Sequence, residues 1–352
     1  DLNLMPLAGI NTSLNLVGNL KGKGFSPENL ETSIHIQAGT SNIENIFFRD
    51  FNINVDGSGG LINTDISFSS AKTSGSFDAH FNFTDTTTSK YNFDLVLKGF
   101  NLDDFVKQSG INTELNISLK GDGENFDQDR LNLFAVLEID SSHLDNIVID
   151  STTLIADIRS GQEDRVINII SDLADLTITG EFTLTEAIDV ISDEIQLISN
   201  SIQKKMEKIQ PPDFRDVTHE TALNTVSENS DLYLPEKRLN IQYLLELKSF
   251  ELLSLFLGNA EVEVDGEISG KLASSGDTTI LTLDTKIDQM KYWDGQELYY
   301  LSDFEFTTEV NSQLYADSFD GFTADLNLSA KRIFTGSEIT DLKLDINFID
   351  ND

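Results

Sequence analysis

Phe304-Glu305-Phe306-Thr307-Thr308-Glu309-Val310-Asn311 alternates at every step. Phe304, Phe306, Thr308, Val310 and Leu314 take one parity, and Glu305, Thr307, Glu309, Asn311 and Gln313 take the other. Alternation with period two places successive side chains on opposite faces of an extended backbone, which is the pattern of a strand with one buried and one wet face. The next stretch repeats it, with Phe322, Ala324, Leu326 and Leu328 against Thr323, Asp325, Asn327 and Ser329. So does the last, with Leu342, Leu344, Ile346 and Phe348 against Asp341, Lys343, Asp345 and Asn347. Earlier in the chain the same reading applies to Phe77/Ala79/Phe81/Phe83, Tyr91/Phe93/Leu95/Leu97 and Leu131/Leu133/Ala135/Leu137/Ile139.

Short clusters of turn residues separate these runs: Asp56-Gly57-Ser58-Gly59-Gly60, Gly121-Asp122-Gly123, Ser160-Gly161 and Ser274-Ser275-Gly276-Asp277. Connections this short join antiparallel neighbours, because parallel strands need a longer crossover. The expectation is an all-β antiparallel meander of about 17 strands, elongated rather than globular, since 352 residues exceed what one compact core usually holds.

One segment departs from period two. Ile188, Ile191, Ile195, Ile198, Ile202, Met206 and Ile209 are spaced by threes and fours, which predicts an amphipathic helix over about 186–209. Thr183 with Glu186 reads as its capping box and Pro211-Pro212 as its stop; the polar stretch to about Ser230 reads as a loop. The stripe is expected to dock on the sheet of its own chain. Its polar face is not rich in Lys or Arg, which argues against a helix lying on a membrane.

Charge and composition narrow the function classes. Twenty-four Lys and Arg face 60 Asp and Glu, a formal −36, so the surface repels nucleic acid, and no nucleic-acid partner is expected. With no cysteine there is no disulfide framework, thiolate metal site or Cys nucleophile. His35, His80, His143 and His219 are scattered without metal-ligand spacing. No nucleophile elbow, phosphate loop or zinc-protease motif is present. Acidic turns such as Asp122-Gly123-Glu124-Asn125 lack the ligand set of a calcium loop. The expectation is a protein that is not an enzyme, with no catalytic residues, no metal site and no cofactor. Trp293 with Tyr292, Tyr299 and Tyr300 forms one aromatic cluster. It reads as a loop folded over a sheet edge, with a sugar platform as the other reading.

Passages recur along the chain. Leu16-Val17-Gly18-Asn19-Leu20-Lys21-Gly22-Lys23-Gly24 matches Leu115-Asn116-Ile117-Ser118-Leu119-Lys120-Gly121-Asp122-Gly123, and Val264-Asp265-Gly266-Glu267-Ile268-Ser269-Gly270 continues the series. Ile43-Glu44-Asn45-Ile46 pairs with Leu144-Asp145-Asn146-Ile147, and Ser69 to Phe77 with Ser171 to Phe182. Leu97 to Phe105 matches Leu247 to Phe256. The repeats divide the chain into 1–110, 111–258 with the helical insertion at about 186–230, and 259–352, stacked as one continuous sheet.

The strand ending in Gly-x-Gly, the phrase from Ser171 to Phe182, and strands closing in Phe-x-Leu are similar to the TamB-like branch of the AsmA-like superfamily, in particular to its large versions in Bacteroidota. The resemblance implies an internal piece of a periplasmic protein that the inner membrane anchors, bridging towards the outer membrane of the Gram-negative envelope. It implies a sheet curled into a taco-like groove that binds or conducts phospholipid acyl chains, and a role in outer-membrane protein assembly with a barrel partner. The first and last residues both lie close to strands, which suits a piece of a longer chain.

The groove lining expected on one parity is Leu281, Leu283, Ile287, Phe304, Phe306, Val310, Leu314, Phe322, Leu326, Leu328, Leu342, Leu344, Ile346 and Phe348, none of them charged. Taken from the residues alone, these positions serve equally well as the core of a closed β-sandwich or solenoid. Two other functions stay open: a scaffold that offers a strand edge to outer-membrane β-segments, and an extracellular β-repeat adhesin with a closed core.

Overall fold

The computed structural model describes residues 12–13, 15–24, 26, 29–43, 46–85, 87–101, 113–144, 147–161, 164–185, 187, 238–248, 261–275, 278–293, 296–313 and 323–349. Among these residues the protein is all-β, and every described strand pairing is antiparallel. The chain divides into two compact units. The first comprises residues 1–161, 166–177 and 250–259; the second comprises 162–165, 178–249 and 260–352.

In the first unit the strands are β1 (Thr12–Ser13), β2 (Leu16–Lys23), β3 (Glu31–Ala38), β4 (Ser41–Ile43), β5 (Ile46–Ser58), β6 (Leu61–Ser70), β7 (Ser74–Asn82), β8 (Lys90–Phe100), β9 (Thr113–Glu124), β10 (Asn132–Leu144) and β11 (Ile147–Ser160). They form a meander in which β3 and its continuation β4 both pair with β5, and each later strand pairs with the next. Two further strands, β12 (Arg165–Ser171) and β13 (Ala174–Glu181), each have residues in both units. The second unit holds β14 (Arg238–Leu247), β15 (Glu261–Ser275), β16 (Thr278–Trp293), β17 (Leu298–Gln313), β18 (Thr323–Thr335) and β19 (Glu338–Ile349), each paired with its successor.

Bulges interrupt the ladders at matching levels. In the second unit β16 carries one residue more than β15 between Ile287 and Gln289, and the neighbours keep step: Asp288, Asp303, Lys331 and Asp341 fall on one transverse line. Asp303 and Asp341 take the left-handed conformation, at φ 48 and 53. The first unit has the same device next to Phe51, Leu97 and Ile139, with register shifts in β5, β8 and β10. An extra residue bends its strand and increases its twist, so a row of bulges bends a sheet along one line.

Asn116 holds that line in the first unit. Its Oδ1 accepts from Gly99 N at 3.0 Å, its Nδ2 donates to Ser141 O at 2.9 Å, and its backbone N donates to Ser142 Oγ at 2.8 Å. Ser142 is fully buried. Asn15 makes the matching contacts, N to Ser41 Oγ at 3.1 Å and Nδ2 to Thr40 O at 2.9 Å. The turns agree as well: Ser70 Oγ accepts from Thr73 N, and Ser171 Oγ from Ala174 N. Gly24 and Asn125 both adopt positive φ.

All these pairs share one offset, Asn15 to Asn116 and Ser70 to Ser171, which is 101 residues. Leu16 therefore corresponds to Ile117, two residues beyond the Leu115 suggested by sequence similarity. The recurrence of Lys-Gly-x-Gly at Lys21 and Lys120 draws the eye to the wrong register. The repeat follows the position in the ladder, and at Asn15/Asn116, Ser41/Ser142 and Ser70/Ser171 it keeps the residue as well.

Candidate functional site

Residues directly opposite one another in an antiparallel pair point to the same face, so the registers define transverse rows. In the first unit one row runs Gly18, Ile36, Ile53, Ile66, Phe77, Leu95, Leu119, Leu137, Leu154, across β2, β3 and β5 to β11. No member is polar. Nine strands at about 4.8 Å each make this apolar line roughly 40 Å long. The rows on either side of it on the same face contain no charge either: one runs Ala38, Phe51, Phe68, Gly75, Leu97, Ile117, Ile139, and the other Ile34, Val55, Thr64, Ala79, Phe93, Gly121, Ala135.

The second unit has the same organisation. Its rows run Ile241, Leu272, Leu281, Val310, Ala324, Phe348; then Tyr243, Gly270, Leu283, Thr308, Leu326, Ile346; then Leu245, Ile268, Thr285, Phe306, Leu328, Leu344; then Leu247, Gly266, Ile287, Phe304, Ala330, Leu342. Twelve residues read from the sequence as one lining, Leu281, Leu283, Ile287, Phe304, Phe306, Val310, Leu326, Leu328, Leu342, Leu344, Ile346 and Phe348, thus occupy one face. Leu314 and Phe322 lie outside the described residues.

Beyond the bulge line the face continues with Val264, Met290, Leu301, Ile333 and Ile339. Met290, Leu301, Ile333 and Ile339 escape a period-two reading, because the extra residue in their strands shifts their parity; Val264, on β15, stays in step with Gly266. The opposite face carries Glu246, Glu267, Lys286, Glu305 and Lys343 in a single row.

The apolar face is only partly shielded. Ile287 is buried, Phe304, Phe306, Leu326 and Leu328 are half-buried, and Leu344 and Ile346 on β19 remain 48% and 44% exposed. Among described residues, the buried apolar side chains are six Ala, four Ile, two Leu and Tyr91, and none of the large ones is completely covered. A packed β-sandwich interior would instead cover the Phe and Leu of its inner faces.

Glycines on this face sit beneath aromatic rings. A Cβ on Gly123 would lie 2.6 Å from the ring of Tyr91, one on Gly121 2.6 Å from Phe93, and one on Gly75 2.4 Å from Phe68. Tyr243 covers Gly270 in the same way and donates from its hydroxyl to Thr282 O at 3.1 Å. Burial raises the phenol pKa of both Tyr91 and Tyr243. A ring lying flat over a strand glycine keeps the surface apolar and low where the backbone is most open.

Two elements lie on the faces. Ala187 N donates to Thr183 O at 3.0 Å, forming one helical turn, and Ala187 is buried against Leu239, Ile241 and Leu272, with Ile178, Phe182 and Leu281 alongside. The predicted stripe from Ile188 to Ile209, Glu186 of the capping box, the Pro211-Pro212 stop and the polar tail lie outside the described residues. In the first unit the loop after β9 lays Phe126 on Tyr91, ring centroids 4.6 Å apart, with Phe83 at 5.9 Å and Phe81 at 6.1 Å.

Tyr292 and Trp293 end β16, and Tyr299 and Tyr300 lie at the start of β17, so this aromatic group belongs to strands and not to a loop. The rings of Tyr292 and Tyr299 are 5.8 Å apart.

Among the described residues no group of three or more His, Asp or Glu is placed to hold a metal ion, and no helix is long and apolar enough to cross a membrane. Comparison with protein-family models, with curated proteins and with solved structures finds no match for this chain.

Proposed function

We propose that the chain is a non-catalytic, lipid-binding part of a periplasmic bridge, whose apolar sheet faces hold or conduct phospholipid acyl chains between the inner and outer membranes. The observation that carries this reading is the register: rows of up to nine strands with no charged member, whose large side chains remain half-accessible. Each methylene moved from water to such a surface is worth about 0.8 kcal/mol, so an acyl chain lying along a row gains strongly from the contact. The bulge lines favour a sheet that curls into a trough, because they bend neighbouring strands at the same level. The opposite face, with Glu246, Glu267, Lys286, Glu305 and Lys343, suits contact with water.

In this reading the segment from about 186 to 209 is an inserted helix docked by its apolar stripe, continuing the turn that begins at Thr183. The inner-membrane anchor and the outer-membrane barrel partner belong to segments beyond this chain. A second reading, a scaffold that adds outer-membrane β-segments to a strand edge, draws on β2, which is exposed along its whole length, and on β19, exposed along nearly all of the length described.

Native mass spectrometry with organic extraction of the purified chain tests the lipid reading. Co-purifying phospholipid that is lost in Phe306→Asp and Leu326→Asp, with the β-sheet circular dichroism signal retained, is the expected result. A lipid-free chain that cannot be loaded from vesicles would overturn it.

A further inference from the structure

We infer that the edge of β2 is a receptor for one antiparallel strand of defined chemistry: an aromatic residue, apolar residues at every second position after it, and a left-handed glycine eight positions on, as in β8. The site sharpens the strand-edge reading above and does not depend on lipid binding. Among the described strands β2 pairs with β3 alone, and all eight of its residues are exposed. Such an edge accepts an extended segment by strand addition, and the 101-residue repeat identifies the kind of segment that fits.

By that offset β2 takes the place of β9, and Gly9-Ile10-Asn11-Thr12 with Leu14-Asn15 recurs as Gly110-Ile111-Asn112-Thr113 with Leu115-Asn116. β9 lies between β10 and β8; β2 has β3 in the place of β10 and, among the described residues, nothing in the place of β8. Two features of β9 are completed by β8. Asn116 Oδ1 accepts from Gly99 N at 3.0 Å, and the Tyr91 ring lies over Gly123, 2.6 Å from where a Cβ would stand. Both are open on β2. Asn15 spends its N and Nδ2 on Ser41 and Thr40, and no described residue donates to its Oδ1. Gly22, the counterpart of Gly123, has Thr32 and Glu31 nearest to it and no ring among them.

The open groups also set the polarity of the incoming strand. β2 runs eight residues beyond Asn15, so an antiparallel partner must bring its long arm ahead of its left-handed residue, as β8 does with residues 90–98 ahead of Gly99. A ring then falls opposite Gly22 and an N–H opposite Asn15 Oδ1, while apolar side chains meet Leu16 and Leu20, which are 40% and 73% exposed. β19 of a second copy has the reverse layout, since its left-handed Asp341 precedes the long arm 342–349. Residues 1–11 of the chain itself correspond to 102–112, which lie between β8 and β9 in sequence, and not to β8. The occupant is therefore a strand of β8 chemistry carried by a separate segment of polypeptide.

The test titrates the full chain into a fluorescent synthetic peptide of residues 90–101 and follows its anisotropy. The peptide carries Phe93→Leu, because Leu20 stands where β9 has Gly121 and leaves no place for a flat ring. Binding should be saturable, and Asn15→Ala should weaken it about fivefold to tenfold, the worth of one hydrogen bond. N-methylglycine in place of Gly99 of the peptide, which removes the donor and keeps the backbone freedom, should cost the same and should cost nothing more against Asn15→Ala. Asn15→Asp retains the acceptor and should bind the peptide more tightly than Asn15→Ala does. Tyr91→Ala in the peptide should weaken binding as well. No binding, or binding indifferent to Asn15 and to Gly99, overturns the inference, and neither outcome bears on the loading from vesicles that tests the lipid reading. Self-association of the chain that Asn15→Ala abolishes would make a second copy the occupant and overturn it too.

Discussion

Asn116 donates from Nδ2 to the backbone carbonyl of Ser141 across the β9–β10 pair, at 2.9 Å, and through Oδ1 the same side chain accepts from Gly99 of β8. One amide thus fastens the left-handed residues of two flanking strands, Gly99 at φ 60 and Ser141 at φ 44. The bulge line depends on it locally, since each bulge leaves backbone groups that the ladder no longer pairs.

Asn116→Ala should therefore lower unfolding free energy by about 1–2 kcal/mol, the usual worth of two modest hydrogen bonds with partners partly left to water. Asn15→Ala, which removes a single side-chain bond from the matching position, should cost less. Urea unfolding of the two variants side by side checks the order; an equal or reversed cost would mean that the bulges hold themselves.

Gly270 has no room for a side chain. A Cβ would lie 2.1 Å from Thr282 O and 2.4 Å from the Tyr243 hydroxyl oxygen. Gly270→Ala should cost about 1–3 kcal/mol or more, because backbone must shift to admit it. Tyr243→Phe should cost only about 1 kcal/mol, since the ring still covers the glycine and one hydrogen bond is lost. Chemical denaturation of both variants separates the steric requirement from the polar one.

Asp65, Asp78 and Asp94 stand directly opposite one another on the polar face. Desolvation, then the charge of Asp65 and its hydrogen bond, then Asp94, raise the pKa of Asp78. The folded state then binds this proton more tightly than the unfolded chain. The associated stability is present below the ordinary value of 3.8 and is lost as pH rises through the elevated one. Asp78→Asn should stabilise the protein at neutral pH and lose that advantage in acid. Melting temperatures of the variant and the parent at about pH 7 and about pH 3 test the sign; the reverse trend would show that Lys120, 3.3 Å from Asp94, outweighs the repulsion among the carboxylates.

Phe126→Ala should uncover Tyr91 with little loss of stability, as Phe126 is itself largely exposed. The Tyr91 phenol, raised chiefly by burial, should titrate nearer its ordinary range. An ultraviolet titration of Phe126→Ala, with Tyr91→Phe as the reference that removes the signal, checks this; an unchanged tyrosine titration would mean that the strands alone bury the ring.

The apolar face was legible wherever the backbone alternates strictly. Phe304, Phe306 and Val310 announce it, and the ladder places them in rows with Leu326, Leu328, Leu342 and Leu344. Positions past Asp288 and Asp303 were not legible, because one additional residue inverts the parity and nothing in the letters marks it: Asp303 and Asp341 adopt positive φ without being glycine. Met290, Leu301 and Ile333 thus escaped notice. The Asn116 and Asn15 fasteners were equally hidden, since each joins residues about 25 apart that only the pairing brings together. The aromatic cover of glycine had a signal in sequence, a Tyr or Phe one strand away from each Gly, but reading it requires the register first.

The bulge line also makes the sheet intolerant of small changes in length. Deleting Asp303 would turn Leu301 and Tyr299 to the water side while Phe304 and Phe306 stayed where they are, splitting one strand between two allegiances. A strand beside a bulged one must either carry an irregularity in phase, as β17 does next to β16, or take it up as a register shift, as β15 does. Such a chain can lengthen by duplicating whole hairpins, but it cannot drift by single residues.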